Sequence, residues 1–429
     1  MKVIRILSLL FIIMLVVPVV NAITVDISSC GVLAVDGTTY NLINNISYSG
    51  SDCITIAASN ITFNGNGFEI IGDLLYGAVS ANGLINVSIS NITTNYNSVG
   101  LYLESNTNIS LSNVTANYNN NYGLYLYLNT NVSILNATTN YNYGGLILDS
   151  NTNVSISNVT ENSNNYGLYL DLNTNVSISN VTANYNNFGL YLYLNTNVSI
   201  SNVTAKYNSV GLILDLNTNV SISNVTENSN NYGLYLESNT NVSISNVTAN
   251  YNNNYGLLLY LNTNVSISNV TENSNNYGLY LDSNTNVSIS NATANYNYGG
   301  LSLNSNTNIS ISNVTANYNT DTGLYLYSNT NVSISNVTAN NNNRGLYLDL
   351  NTNISISNVT ANNNNRGLSL NSNTNISISN VTASYNNDIG LYLDLNTNIS
   401  ISNVTANNNN IGLYLYDINI NYPTNSIIQ

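Results

Sequence analysis

Fifteen glycines between Gly100 and Gly412 recur every 22 or 23 residues, and a period that short leaves few architectures open. Repeats of this length stack as coils on a common axis, each coil touching only its neighbours. The coil from Gly211 to Thr226 shows the local rule. Leu212, Leu214 and Leu216 fall on one face with period two, as do Val220 and Ile222, so both runs read as strands with one buried side. The parity slips at Val225, three residues after Ile222, which requires a corner at Asn224, a residue type that tolerates the left-handed conformation. Three short strands per coil follow, paired in parallel with the same strands of adjacent coils about 4.8 Å away. Helical repeats are excluded. They would show a 3.6-residue period and would not carry this density of Asn, Ser, Thr and Gly.

The chain ends bound its setting. Met1 to Arg5 carries two cations, Ile6 to Val20 is apolar, and Val20-Asn21-Ala22 offers small-residue cleavage, so residues 1–22 read as a secretory signal peptide. The apolar run is short for a spanning helix and Pro18 interrupts it, so no membrane span is expected after cleavage. The expected localisation is secreted, on the extracellular surface. Cleavage leaves three cations, Lys206, Arg344 and Arg366, against nineteen carboxylates, a net charge of −16. Such a balance argues against nucleic acid and against anionic lipid surfaces. Cys30 and Cys53 are expected to pair in an exported chain, which would stabilise the entry segment by about 3 kcal/mol.

Residues 23–99 read as an N-terminal cap with irregular first coils, 100–416 as regular coils and 417–429 as a C-terminal tail. Terminal repeats of a solenoid are atypical because they cover an open core. Tyr127, Tyr193, Tyr260 and Tyr327 recur every 66 or 67 residues, a three-coil block laid over the single-coil period. The fold class expected is all-β, a right-handed parallel β-helix solenoid.

The repeated Gly-Leu-Tyr-Leu and Ser-Ile-Ser-Asn-Val-Thr segments, as at Gly233 to Leu236 and Ser243 to Thr248, resemble the parallel β-helix repeats of exported prokaryotic proteins. These include the NosD-type β-helix domain and the carbohydrate-binding and sugar-hydrolase β-helices. The resemblance covers about Asn60 to Leu415 and implies the fold; the architecture hosts lyases, hydrolases, adhesins and structural rods alike. A copper role is not implied. The mature chain has no His, and both Met1 and Met14 lie in the leader. No metal or other cofactor is expected.

Stacking turns each coil position into a column. The second residue after glycine is Tyr in ten of fifteen coils, and the fourth is Asp or Glu in eight. Candidate ligand-binding residues on this face are Tyr169, Asp171, Tyr191, Tyr193, Asp215, Tyr235 and Glu237. Tyrosine rings could stack on sugars while carboxylates accept hydroxyl hydrogen bonds. Asp149 with Asp171, or Asp215 with Glu237, would stand one coil apart, near the spacing of a retaining glycosidase. Tyr is equally a good exposed strand residue, and acids keep surfaces soluble. The uniform short turns weigh against an enclosed catalytic cleft, so no catalytic residue is assigned and the chain is read as a non-enzyme. Arg344 and Arg366 stack on adjacent coils, with Asp349 as the expected ion-pair partner.

Nearly every coil holds two Asn-Xaa-Ser/Thr sequons. Asn224 and its equivalents are expected to form an inward or corner ladder with poor access, leaving Asn197, Asn219 and Asn241 as the better glycosylation candidates. Ser221 and Ser223 belong to a Ser-Xaa-Ser array on nearly every coil, which leaves ice binding as a third class of function. The sequence thus describes a secreted structural or adhesive rod with a candidate carbohydrate-binding face. The expected partners are a glycan or cell-envelope component and, end to end, a second copy. A polysaccharide-active β-helix is the alternative.

Overall fold

The computed structural model describes residues 23–424; the leader expected at 1–22 lies outside the described residues. Among the described residues every regular element is a strand. One stack contains eighteen six-residue or shorter strands, running from Gly31–Leu33 through Val99–Glu104 to Ile411–Tyr416, each paired in parallel with its neighbour in the next coil. The second stack contains the longer strands, such as Thr218–Asn228, again parallel and in register from coil to coil. This is a parallel β-solenoid.

Each long strand is two sides of the coil. At Asn224 the backbone turns through φ 53°, so Val220–Ser223 and Val225–Asn228 face different directions, and with Val210–Asp215 they make a three-sided coil. The parity slip at Val225 has this corner as its cause. The coil in fact uses four left-handed positions, at Leu216, Asn219, Asn224 and Ser229. This corrects the reading of Leu216 as a core residue. It is a left-handed corner with its side chain exposed, while Leu212 and Leu214 are fully buried.

The core is a continuous column of Leu, Ile, Val and Ala. The recurrent glycine is required by contact rather than by dihedral angle: a Cβ on Gly323 would stand 2.7 Å from the carbonyl oxygen of Gly345 and 2.9 Å from Ala339 Cβ. Glycine lets the side of the coil approach its neighbour's backbone at this point.

Two asparagine columns run through the buried corners. Asn217 Nδ2 donates to the carbonyls of Leu192 and Asp215 at 2.9 and 3.1 Å and to Asn239 Oδ1 at 3.1 Å, while its backbone N–H donates to the same Asn239 Oδ1 at 2.8 Å. Asn230 repeats the pattern on the far side, its amide donating to Ala205 O and its N–H to Asn252 Oδ1. These columns carry the inward ladder expected of Asn224. Asn224 itself is exposed and forms an outer ladder, its amide reaching Asn202 Oδ1 at 3.3 Å. A left-handed residue at a convex corner points its side chain away from the lumen, so the sequon asparagines of both corner columns face outward.

Cys30 and Cys53 are bonded, tying the strand that starts at Gly31 to its partner at Ile54 in the first two coils. At the far end Asn419–Thr424 adds a parallel strand to Thr397–Thr405, so the backbone of the tail covers one side of the last coil.

Three carboxyl groups break the apolar lumen. Glu161, Glu227 and Glu272 are fully buried at a station where most coils place Ala. Glu161 is hydrogen-bonded with Thr139, but one oxygen of each residue, and both of Glu272, has no hydrogen-bond partner. Burial drives all three acids well above the ordinary carboxylate range, so they are neutral where surface acids are ionised. An acid whose folded-state pKa is raised contributes stability that is fully present below its unfolded value, about 4.3, and lost as pH rises toward the folded value. Thermal unfolding should therefore show stability falling as pH rises above about 4, by up to about 1.4 kcal/mol per pH unit for each acid in its window. The triple substitution Glu161→Ala, Glu227→Ala, Glu272→Ala should flatten that slope. An unchanged slope would mean the three acids are not neutral in the fold. A separate expectation concerns the asparagines: Asn239→Ala strands the buried N–H of Asn217 and should cost roughly 1–3 kcal/mol in denaturant unfolding.

Candidate functional site

The face built from the six-residue strands holds all seven ligand-binding candidates. The pairings Asp171↔Tyr193↔Asp215↔Glu237 and Tyr169↔Tyr191 place them in two adjacent columns, as the spacing predicts. A third aromatic column, one residue before each glycine, was not recognised from sequence because it lies in the variable turn segment. Tyr166 and Phe188 stack there at 5.2 Å, and Tyr232, Tyr255 and Tyr277 continue it at 5.7 and 5.6 Å. The only available signal was the aromatic residue at that station in six of the fifteen coils.

The three columns satisfy one another. Tyr169 packs edge-on against Tyr191 at 5.3 Å and tilted against Tyr166 at 5.5 Å. The Tyr235 hydroxyl donates to Glu237 Oε2 at 2.5 Å, Tyr102 to Glu104 at 2.9 Å, and Tyr392 to Asp394 at 2.9 Å. Burial and then the Glu104 carboxylate push the Tyr102 phenol up to about 12, and burial and then the Glu237 carboxylate raise Tyr235. Burial raises Asp171 and Asp215, with the neighbouring Asp149 and Glu237 adding like-charge repulsion. Both carboxylate pairs named from spacing thus stand side by side on adjacent strands. Most of this face is a pavement of ring edges and hydroxyls whose ring faces are already occupied.

The pavement opens where it loses its large residues. At the coil containing Gly299, glycine occupies the turn column and Ser302 the tyrosine column, leaving a notch of about 240 Å³. Tyr277, Tyr298, Tyr325 and Tyr347 wall it, and Arg344 and Asp321 stand at its rim. The coil at Gly144 also has glycine in the turn column, but there Ile147 fills the space. Ser369 opens a second, smaller notch of about 180 Å³ between Tyr347 and Tyr392, with Arg344 and Arg366 both lining it. Its buried Ser369 hydroxyl has no hydrogen-bond partner.

These notches hold two of the three cations expected in the mature chain, and their pairing differs from expectation. Arg366 Nε bonds Asp388 Oδ2 at 3.2 Å, the one ion pair among the described residues. Asp349 instead accepts from Asn371 Nδ2 at 3.0 Å, because its outward column lies two positions beyond that of the tyrosines and out of reach of the turn-column arginines. Arg344 lies over the Tyr347 ring at 4.4 Å with no carboxylate at ion-pair distance among the described residues. The serine array is less uniform than its sequence. Ser221 is exposed, but at the station of Ser223 residues such as Ser245 donate to the carbonyl of the preceding coil at 3.4 Å. The glycosylation candidates Asn197, Asn219 and Asn241 lie on an exposed ladder in which each amide donates to the previous coil's Oδ1 at 3.0–3.1 Å.

The family model for the right-handed β-helix region matches residues 144–294, 256–382 and 299–429. The chain belongs to the right-handed β-helix family. The finer NosD-type likeness remains an expectation from the repeats. No curated protein matches the chain. Similar solved structures include an Azotobacter vinelandii mannuronan C-5 epimerase A-module, 12% identical, covering 94% of this chain and 98% of its own, with TM-score 0.32. An exopolygalacturonase from Thermotoga maritima is 12% identical over 70% of this chain and 84% of its own, with TM-score 0.38. A tailspike protein of an E. coli bacteriophage, in complex with pentasaccharide, is 11% identical over 90% and 74%, with TM-score 0.34. Their likeness to this β-helix is one of fold.

Proposed function

We propose that this β-helix is an exported, surface-exposed rod that binds neutral polysaccharide on its tyrosine face, with the Ser302 notch as the principal subsite. The observation that carries the reading is the pairing, in one notch, of aromatic walls with a guanidinium and a carboxylate. Ring faces suit the apolar face of a sugar, Arg344 supplies a donor fork and Asp321 an acceptor for hydroxyls. A neutral sugar is favoured over an anionic one because the chain carries a formal charge of −14 and acidic residues outnumber Arg344 and Arg366 nearby. An adhesive role would draw on the two notches of one rod engaging the same polysaccharide, which gains by multivalency.

The test is retention on a panel of insoluble neutral and uronic-acid polysaccharides. Wild type should be held by a neutral member and Ser302→Tyr, which closes the notch, should lose at least fivefold in retention. Equal retention of the two proteins, or retention only by the uronic-acid members, would rule out this subsite.

A polysaccharide-active reading has its own support in the side-by-side Asp149 and Asp171 and in Asp215 and Glu237, one of each pair raised in pKa. Mass spectrometry of the soluble fraction from the same panel decides it. Oligosaccharide release by wild type that disappears in Asp171→Asn or Asp215→Asn would establish catalysis, and no release would leave the binding rod.

A further inference from the structure

A second set of tyrosines occupies one corner of the coil, away from the face just described. Tyr96, Tyr118, Tyr141, Tyr185, Tyr207, Tyr251, Tyr296, Tyr318 and Tyr385 all take φ between 55° and 60°. A bulky side chain there carries about 1–2 kcal/mol of backbone strain. The station does not require tyrosine, since Ser163, Ser229, Ser274, Asn341, Asn363 and Asn408 take the same conformation. Neighbouring rings stack face to face: Tyr96 on Tyr118 at 5.2 Å, Tyr118 on Tyr141 at 4.8 Å with only 2° between planes, Tyr185 on Tyr207 at 5.0 Å and Tyr296 on Tyr318 at 5.2 Å. The ring spacing equals the coil rise, so each ring stacks on the equivalent ring one coil along the rod axis.

Serine interrupts this stack three times. Ser163 separates Tyr141 from Tyr185, Ser229 separates Tyr207 from Tyr251, and Ser274 separates Tyr251 from Tyr296. Each interruption leaves two ring faces about 10 Å apart, two coil rises, with one ring missing between them. Exposure follows the gaps. Tyr118, flanked by rings on both sides, is 45% exposed, and Tyr251, flanked by serines on both sides, is 67% exposed.

We infer that these three gaps are slots for a single neutral six-membered sugar ring, sandwiched between tyrosine faces. A slot that accepts a ring on both faces selects a pyranose whose two faces are both apolar, which is the all-equatorial β-gluco configuration. An axial hydroxyl would press against one tyrosine. No charged side chain belongs to the corner column, so the ligand is uncharged. The bound ring lies parallel to the two tyrosine rings that flank it. The inference stands apart from the Ser302 notch, which lies on another side of the coil.

Calorimetric titration with cellotetraose, using Ser302→Tyr protein so that the face notch is closed, tests it. Cellotetraose should bind, and the further triple substitution Ser163→Tyr, Ser229→Tyr, Ser274→Tyr should weaken binding at least tenfold. That variant keeps the fold because Tyr118 already occupies the equivalent station, and far-ultraviolet circular dichroism checks this. Tyr251→Asn, which removes a wall from two slots, should reduce the number of sites from three to one. A β-galactotetraose should bind at least fivefold more weakly. Undetectable cellotetraose binding, equal binding after the slots are filled, or equal binding of the two sugars would each overturn the assignment.

Discussion

Every coil depends on two buried asparagines. A three-sided coil must turn its backbone inside a narrow lumen, where N–H and C=O groups at the corners meet no water. Asn217 and Asn230 satisfy those groups, and each also bonds the next member of its column, so the corner of one coil is completed by the coil above. No single coil is closed by itself. That dependence makes the repeat a stack and sets its register, because a slip of one residue would orphan a whole column of amides.

The same one-dimensional order explains where chemistry can arise. When every coil is alike, a tall column of tyrosines fills itself, face on face or hydroxyl on carboxylate, and offers a ligand little but edges. On the reading proposed above, recognition sits at the interruptions. Ser302 beside Gly299 opens the tyrosine face, Ser369 opens it again, and Ser163, Ser229 and Ser274 open the corner stack. The buried glutamates precede the corner serines by two residues in the same coils, at Glu161, Glu227 and Glu272. A shared block of sequence, Thr-Glu-Asn-Ser-Asn-Asn-Tyr-Gly, carries both features, so the slots and the internal acids were multiplied together.

The charge of the protein is correspondingly uneven. Three of the nineteen carboxyls counted in the sequence are neutral within the lumen, and several others are tied to tyrosine hydroxyls. The cations are concentrated at the two face notches, where Arg344 lies on an aromatic ring rather than on an acid. A guanidinium held over a ring and not in an ion pair keeps donors available to a ligand.

The sequence by itself determined the solenoid, the parallel pairing, the coil length, the corner at Asn224, the pairing of Cys30 with Cys53 and the columns holding Tyr169, Asp171 and Glu237. All but the disulfide are matters of period and alternation, which a strand writes directly into its residues, and the pairing of Cys30 with Cys53 follows from two cysteines in a chain read as exported. The tertiary structure alone decided that Leu216 is an exposed corner, that Asn217 and Asn230 rather than Asn224 line the lumen, that Glu227 is buried and that Arg366 meets Asp388. The outward place of Leu216 and the inward place of Asn217 and Asn230 turn on four left-handed residues per coil, each of which reverses the inward and outward sense that simple alternation would assign. A gap in a column, too, is visible only when the coils above and below are in place.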